Sequence, residues 1–241
     1  MNKQPHLLVD SKQISDSVIV CGEPNRVNRI AKFLSEVELL SDNREYRLMK
    51  GIYNGIPITI CSTGIGSPSA LIALEELYQC GAKKIIRVGS SGALQANIAL
   101  GDLIIAEAAV RDEGGSTCYV PAAFPAYSEF ELINGLQRFC VDNKYPYHQG
   151  VVRSHDSFYT DDEEKLCQYW HKKGVLGADM ETSALLTVGR LRGLKVASIL
   201  TNVVLYQQDV KEGVTDYITE NEIMVEGEKI ATQAALYALT C

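Results

Sequence analysis

The sequence predicts an α/β protein in which a central mixed β-sheet is flanked by helices on both faces. Short apolar runs typical of buried strands alternate along the chain with segments of helical spacing. Neither a linker, a repeat nor a low-complexity segment divides the 241 residues, so we expect a single domain over residues 1–241. Hydrophobic residues make up 46% of the chain, which is enough to bury a large core.

Charge and composition limit the classes of partner. The net charge of -7 argues against nucleic acid, whose phosphates need a basic surface, but a small anion needs only a local cluster of arginines. The start of the chain lacks a signal-peptide core, and no segment approaches the ~18 apolar residues of a membrane span. Seven scattered cysteines without a Cys-x-x-Cys pair are typical of a reducing compartment. We therefore expect a cytoplasmic protein with no membrane partner.

The first strand-to-helix turn has the features of an anion site. Asp16–Cys21 predicts a strand, which ends at Gly22, and Pro24 suits the first turn of a following helix. Arg26 lies in that first turn. Free backbone N–H groups and the helix dipole favour an anion at such a place.

A hairpin and a second strand-to-helix turn follow. Asn54-Gly55 predicts a tight turn that joins two strands within Tyr46–Ile60. Ser67 is predicted to cap the next helix, with Pro68 at its first position and its end near Gln79. The preceding Gly64-x-Gly66 lacks the third glycine of a dinucleotide fingerprint, which argues against NAD.

The stretch Ile85–Ala93 is the centre of the functional hypothesis. An apolar strand is predicted to end in Arg87 and to open into a flexible turn over Gly89–Gly92. One fixed cation, free N–H groups and serine hydroxyls suit an oxyanion such as phosphate. The alternative is a buried arginine paired with a structural carboxylate.

The second half of the chain continues the alternation. We predict strands over Leu103–Ala109, His148–His155 and Lys195–Leu205, a loop over Gly114–Pro125, and helices over Ser128–Asn143, Glu163–Lys173, Gly177–Leu191 and Thr219–Leu239. Asp179-Met180-Glu181 lies at one of these helix starts. A carboxylate there either complements the helix dipole or accepts two vicinal sugar hydroxyls.

These pieces together resemble the hexameric nucleoside phosphorylases, the family that contains uridine phosphorylase and bacterial-type purine nucleoside phosphorylase. The resemblance covers essentially the full length and implies a partly barrel-like sheet. Six pieces stand in the order of that family: Gly22-Glu23-Pro24-Asn25-Arg26-Val27, Asn43-Arg44-Glu45-Tyr46, Ser62-Thr63-Gly64-Ile65-Gly66-Ser67-Pro68-Ser69, Ile86-Arg87-Val88-Gly89-Ser90-Ser91-Gly92-Ala93, Asp156-Ser157-Phe158-Tyr159 and Met180-Glu181.

The resemblance implies a role for particular residues. Arg87 and Glu181 are the expected catalytic residues. Phosphate is expected to contact Gly22, Arg26, Arg87, Ser90 and, from the neighbouring subunit, Arg44. Ribose is expected to contact Met180, Glu181 and, from the neighbouring subunit, His6. Phe158 is expected to pack on the nucleoside.

The resemblance also implies partners. The expected assembly is a homo-oligomer whose minimal active unit is a dimer, and the expected complete assembly is a hexamer built as a trimer of dimers. Inorganic phosphate is the expected co-substrate, without an organic cofactor. In some members a monovalent cation, K⁺, lies at the dimer interface near the residues matching Glu45, Ile65 and Ser69, all of which are kept here.

The implied chemistry suits these residues. Phosphate attacks C1′ of the ribose as the base departs, through a transition state with positive charge on the sugar. Three guanidiniums orient the phosphate and Glu181 orients the sugar, so the effect is mainly orientation and electrostatics. Neither a metal ion nor a covalent nucleophile is required.

The base is where the chain departs from the family. The glutamine and arginine that hold uracil are replaced within Thr160–Glu164, and the aspartate of the purine enzymes is missing after the late strand. Val203-Val204 resembles the apolar wall of the uridine enzymes, whereas the short Phe158–Gly177 segment resembles the purine enzymes. Residues that could reach a base edge are Gln207, Gln208, Asp209 and Asp162.

Uridine is the favoured substrate, mainly because the acid of the purine enzymes is missing. A purine nucleoside phosphorylase is the first alternative. A nucleoside hydrolase of the same fold and a non-catalytic nucleoside-binding relative are further alternatives. Retention of Arg26, Arg44, Arg87 and Glu181 together favours the phosphorylase.

Overall fold

A computed structural model describes residues 3–208 and 222–241. The strands are β1 Ser17–Cys21, β2 Ser35–Asn43, β3 Tyr46–Tyr53, β4 Ile56–Ser62, β5 Lys84–Ala93, β6 Leu103–Asp112, β7 Ala126–Tyr127, β8 Tyr147–His155, β9 Gly177–Asp179 and β10 Lys195–Val204. The helices are α1 Pro24–Ala31, α2 Ser67–Gln79, α3 Phe130–Asn143, α4 Glu163–His171, α5 Thr182–Leu191 and α6 Glu222–Thr240, with a 3₁₀ turn at Ser116–Cys118.

The ten strands of the described residues join one mixed sheet in the order β10-β6-β8-β9-β5-β1-β4-β3-β2, with β7 beside β6. Strand β5 also pairs with β10, so β5, β10, β6, β8 and β9 form a closed ring. The prediction of a mixed, partly barrel-like sheet is therefore confirmed. Because β5 belongs both to this ring and to the open part of the sheet through β1, its end is a meeting point of loops.

Helices cover both faces of the sheet, as predicted. One buried apolar cluster joins the sheet to α2 and α5, through residues such as Leu74 and Leu185. The other joins it to α1, α3 and α6, through residues such as Val27, Leu136 and Ala231. The assignment of residues 1–241 to one domain stays a prediction.

Two predicted turns differ from the structure. The Gly89–Gly92 stretch continues β5 as a regular strand up to Ala93, because it pairs with β10 along its length. Ser67 is the first residue of α2 and not its cap: Gly66 precedes the helix with φ of 89°, and the Ser67 hydroxyl donates to Asp156 at 3.0 Å. The predicted flexible turn after Arg87 and the predicted serine cap are both wrong.

The sequence patterns also missed three strands. Strand β2 is mostly exposed at the edge of the sheet and so lacks an apolar run, while β7 has only two residues and β9 only three. Two large apolar residues of the helices are exposed, Phe130 of α3 at 73% and Ile223 of α6 at 59%. The predicted start of the last helix at Thr219 lies outside the described residues. Among the described helices, none has both the length and the apolar character that crossing a bilayer requires.

Candidate active site

Arg87 lies in the middle of β5 with its guanidinium held on two sides. Its Nε donates to Oδ2 of Asp179 at 3.0 Å, and its Nη2 donates to Oε2 of Glu181 at 2.6 Å. The residue is only 3% exposed, and the buried Nη1 has no hydrogen-bond partner in the described parts of the chain. A buried guanidinium with an unused donor group is prepared for an additional acceptor such as an anion.

Gly89 makes room for that guanidinium. A Cβ at this position would stand 2.7 Å from Cζ and Nη2 of Arg87 and 2.7 Å from Cδ2 of Leu200. The glycine is therefore needed for close approach and not for a turn, because the arginine folds back over the strand that carries it.

Asp179 is a structural carboxylate that positions Arg87. Besides the arginine, it accepts the Ser154 hydroxyl at 2.5 Å, the Thr182 hydroxyl at 2.6 Å and the Thr182 backbone N–H at 3.0 Å. The last bond satisfies a free N–H at the start of α5, so the helix-start interpretation of the acidic pair applies to Asp179. The other acid, Glu181, is left for a different role.

Glu181 is buried immediately before α5 and has a hydrogen bond to each oxygen. Oε1 accepts the Gly66 backbone N–H at 2.6 Å, and Oε2 accepts Nη2 of Arg87. Burial raises the pKa of Glu181; Arg87 opposes this shift and Asp179 adds to it. Each carboxylate oxygen has a second lone pair, so a fixed Glu181 can still accept hydroxyl groups.

Arg26 connects α1 to β5. Its Nη1 donates to the Val88 carbonyl at 3.0 Å, and its Nε lies 2.9 Å from Oε2 of Glu228 on α6. Nearby Gly22 accepts the Gly64 N–H at 2.9 Å and has open space where a side chain would begin, its only close neighbour being the Gly64 carbonyl at 3.8 Å. Gly22 and Arg26 thus follow the carboxyl end of β1, which pairs with β5.

Strand register places several predicted contacts on one face. Gly92 of β5 pairs with Ala178 of β9 and with Val204 of β10. Because alternate residues of a strand share a face, Ser90, Met180 and Val204 lie on the same side of the sheet. Val203 and Val204 are buried together with Met224.

The other predicted base contacts are less closely grouped. Phe158 is half-buried, with its ring 5.1 Å from that of Tyr159 at an angle of 77°. Gln207 is exposed with φ of 66°, and Gln208 accepts the Leu205 N–H at 2.9 Å. Asp162 is exposed and pairs with Lys165 at 2.8 Å, and Asp209 lies outside the described residues.

Arg44 and His6 lie together, without contact to Arg87 or Glu181. Arg44 is exposed in the β2–β3 turn with φ of 57°, and its guanidinium has no hydrogen bond or ion pair to any described residue. His6 is held by Glu76 of α2, with Nδ1 and Oε1 2.6 Å apart, and its carbonyl accepts from Asn43 at 2.8 Å. Asn43 contacts His6 and directly precedes Arg44, so the two residues expected to serve a neighbouring subunit lie on one surface.

The residues of the predicted cation site are partly brought together. The Ser69 hydroxyl lies 2.9 Å from Oε1 of Glu45 and 2.5 Å from the Thr63 carbonyl, while Ile65 is 79% exposed beside them. Within the described ranges, no group of three or more His, Cys, Asp or Glu side chains is arranged to hold a metal ion.

Sequence reasoning overlooked three polar residues near this centre. Ser154 donates to Asp179 and accepts the Ser183 N–H at 2.8 Å, and His155 is buried next to it. A weak signal existed, because both polar residues stand at the end of an apolar strand. Arg153 on the same strand is 2% exposed and pairs with Asp112 at 2.8 Å.

Comparisons with known proteins show the family of the chain. The family described as "Phosphorylase superfamily" matches residues 16–239. The chain belongs to the Phosphorylase superfamily. Similar members of the superfamily include guanosine phosphorylase of Halorubrum lacusprofundi, 38% identical over 201 residues that cover 83% of each chain. Uridine phosphorylase of Haemophilus influenzae is 35% identical over 235 residues, with 90% of this chain and 92% of the relative covered.

Solved structures from the Phosphorylase superfamily superpose over nearly the whole chain. Uridine phosphorylase from Vibrio fischeri ES114 is 60% identical, covers 99% of this chain and 98% of its own, and gives a TM-score of 0.93. Purine nucleoside phosphorylase from Toxoplasma gondii in complex with immucillin-H is 28% identical, covers 99% of this chain and 96% of its own, and gives a TM-score of 0.89.

Proposed function

We propose that this protein is a nucleoside phosphorylase that uses phosphate to cleave the N-glycosidic bond of a ribonucleoside, with uridine as the favoured substrate. The products are the free base and ribose 1-phosphate. One observation carries the proposal: Arg87 binds Glu181 at 2.6 Å while its buried Nη1 remains without a partner among the described residues. The same cation can thus join a phosphate nucleophile to the carboxylate that holds the sugar.

The phosphate subsite is proposed between β5 and α1. Arg87 offers Nη1, Ser90 offers a half-buried hydroxyl, and Gly22 offers an unobstructed backbone. Arg26 is fixed beside them through Val88 and Glu228. Preorganised donors of this kind hold an oxyanion without reorganising during the reaction.

The sugar is proposed to bind against Glu181 and Met180. The remaining lone pairs of Glu181 accept the 2′ and 3′ hydroxyls, because its two existing bonds fix both oxygens. As the base leaves, positive charge develops on the ribose, and the bound phosphate and Glu181 both stabilise that charge. The phosphate oxygen forms the new bond to C1′ as the bond from C1′ to the base nitrogen breaks. The base leaves with the electron pair of that bond and takes up the proton that the phosphate gives up.

Uridine is favoured because Haemophilus influenzae and Vibrio fischeri relatives named uridine phosphorylase match the chain at 35% and 60% identity. Val203 and Val204 supply a buried apolar wall for the base, and Phe158 an aromatic face. A purine nucleoside is the second candidate, since one relative at 38% identity is named guanosine phosphorylase.

The proposed active unit contains more than one subunit. Arg44 and His6 lie on one surface and make no contact with Arg87 or Glu181 of the same chain. We assign them to the phosphate and ribose of a neighbouring subunit, in a dimer that is the repeating unit of a hexamer. Glu45 and the Thr63 carbonyl, both within 3 Å of Ser69, offer oxygen ligands for K⁺ at that interface. A cytoplasmic location stays a prediction.

A panel of nucleosides tests the reaction and the base together. Uridine, thymidine, inosine, guanosine and adenosine are each incubated with and without inorganic phosphate, and the free base is quantified. We expect base release only with phosphate, and fastest from uridine. Equal release without phosphate would support the hydrolase alternative, and no release from any nucleoside would support a non-catalytic relative.

A further inference from the structure

The carboxyl end of β8 adds a polar residue to the face that carries Ser90 and Val204. Ala178 pairs with both Gly92 of β5 and Arg153 of β8. By alternation, His155 lies on the same face, one residue beyond the Ser154–Asp179 pair. Met180 directly follows Asp179 at the end of β9, so the register places His155 beside Met180.

His155 is buried with half of its ring unused. The residue is 8% exposed, and its Nδ1 lies 2.9 Å from the Ser157 carbonyl. A carbonyl oxygen only accepts, so Nδ1 carries a proton, and in the neutral ring Nε2 is a hydrogen-bond acceptor. Nε2 has no hydrogen bond to any residue that the structure describes.

The neighbouring charged side chains Asp112 and Arg153 bond to other groups and not to this nitrogen. Asp112 is the register partner of His155, but its Oδ2 accepts from Nε of Arg153 at 2.8 Å. Arg153 also reaches Glu163 at the start of α4, at 3.4 Å. The pair between Arg153 and Glu163 connects the two ends of the segment that carries Phe158.

We propose that His155 recognises the base, with Nε2 accepting the ring N–H that stands beside a carbonyl group in uracil and in guanine or hypoxanthine. This proposal rests on the proposed function. Adenine has an acceptor at the corresponding ring nitrogen and would meet Nε2 with a repulsive contact. The assignment supplies the polar base contact that the missing glutamine and arginine leave open. It also fits relatives named for two different nucleosides, uridine and guanosine, whose bases share this N–H group.

The test compares uridine with N3-methyluridine, which lacks the N–H. His155→Leu removes the acceptor, and His155→Gln retains an acceptor oxygen. His148→Leu is the matched control, because His148 lies on the same strand seven residues away, about 23 Å along it. Steady-state kinetics give kcat/KM for both nucleosides and KM for phosphate, and circular dichroism checks each variant for folding.

We expect kcat/KM of the unmodified protein to be about tenfold or more higher for uridine than for N3-methyluridine. His155→Leu should lower kcat/KM for uridine by about tenfold. The ratio of kcat/KM for the two nucleosides should then be near one. His155→Gln should recover part of the preference. KM for phosphate should stay unchanged in all variants. If His155→Leu does not fold, His155→Asn replaces it, because its shorter side chain does not reach the base.

The proposal would be overturned if His155→Leu, or His155→Asn in its place, kept the ratio of kcat/KM for uridine and N3-methyluridine that the unmodified protein shows. Phosphorolysis would then remain intact. Calorimetric binding of both nucleosides without phosphate separates the remaining cases. Discrimination that depends on His155 in binding, without turnover, would support the base contact and contradict the proposed function. Equal or absent binding of both nucleosides by the unmodified protein would overturn the base contact.

Discussion

Nη2 of Arg87 donates to Oε2 of Glu181 at 2.6 Å, across 94 residues of sequence and with both side chains buried. The contact joins the strand predicted to hold phosphate to the acid predicted to hold ribose. Since Nη1 of the same guanidinium remains unpartnered in the described chain, one residue can connect the proposed nucleophile subsite to the proposed sugar subsite.

Replacement of this arginine tests its assigned role. Arg87→Ala should raise the KM for phosphate or lower kcat by a factor of about 100 or more, as loss of a preorganised donor does. The change also leaves Asp179 and Glu181 buried without their cation, which costs about 3–5 kcal/mol, so a thermal melt must accompany the kinetics. Arg138→Ala is the control, because that side chain is 73% exposed. Near-normal kinetics in a folded Arg87→Ala would contradict the assignment.

Gly89→Ala tests the close approach of the guanidinium. The added Cβ would stand 2.7 Å from Cζ of Arg87 and from Cδ2 of Leu200, so the guanidinium must move away from its position. We expect kcat/KM for phosphate to fall about 100-fold, and Gly114→Ala, whose Cβ meets only Asp156 at 3.4 Å, to be nearly neutral. Unchanged kinetics in Gly89→Ala would show that the arrangement of Arg87 is not needed.

The raised pKa of Glu181 predicts that the stability of the protein depends on pH. Burial raises the pKa of Glu181 above its ordinary value of 4.5, so the folded chain binds this proton more tightly than the unfolded chain. Its contribution to the free energy of unfolding is therefore complete below pH 4.5 and is lost as the pH rises through the folded-state pKa. Urea unfolding should show the stability of the unmodified protein relative to Glu181→Gln falling as the pH rises above 4.5. A relative stability that rises over this range would reverse the sign and refute the account.

Mixed subunits test whether Arg44 serves a neighbour. Arg44→Ala and Arg87→Ala should each be inactive alone, because each removes one phosphate contact from every site. In a mixed dimer one of the two sites keeps both arginines. Random mixing of equal amounts after dissociation makes about half of the dimers mixed, so about a quarter of the unmodified activity should return. Mixtures that stay inactive, although sedimentation shows mixed oligomers, would place Arg44 outside the neighbour's site.

Much of the fold could be predicted because most strands are buried and most turns have a local cause. The Asn54-Gly55 hairpin formed where predicted, with φ of 49° and 78° at the two residues. Strand β2 was missed because an exposed edge strand has no need of apolar residues. The Gly89–Gly92 stretch was misread because its glycine gives space to a side chain, which a sequence does not distinguish from a turn.

Individual residues of the candidate site could be named from the sequence, but the geometry that joins them could not. Arg87 and Glu181 were both identified, but their contact depends on the pairing of β5 with β9. Asp179 was grouped with Glu181 by proximity in sequence, whereas it is saturated by Ser154, Thr182 and Arg87. His155 gave only a weak signal, its place at the end of an apolar strand, because the ring nitrogen that is already bonded is visible only in the structure.

The fate of phosphate tests the central claim most directly. Phosphorus NMR during uridine cleavage follows inorganic phosphate and any sugar phosphate, while absorbance follows free uracil. The account predicts one ribose 1-phosphate for each uracil released, and no uracil release when phosphate is omitted. Release of uracil with free ribose, and with the phosphate signal unchanged, would contradict it.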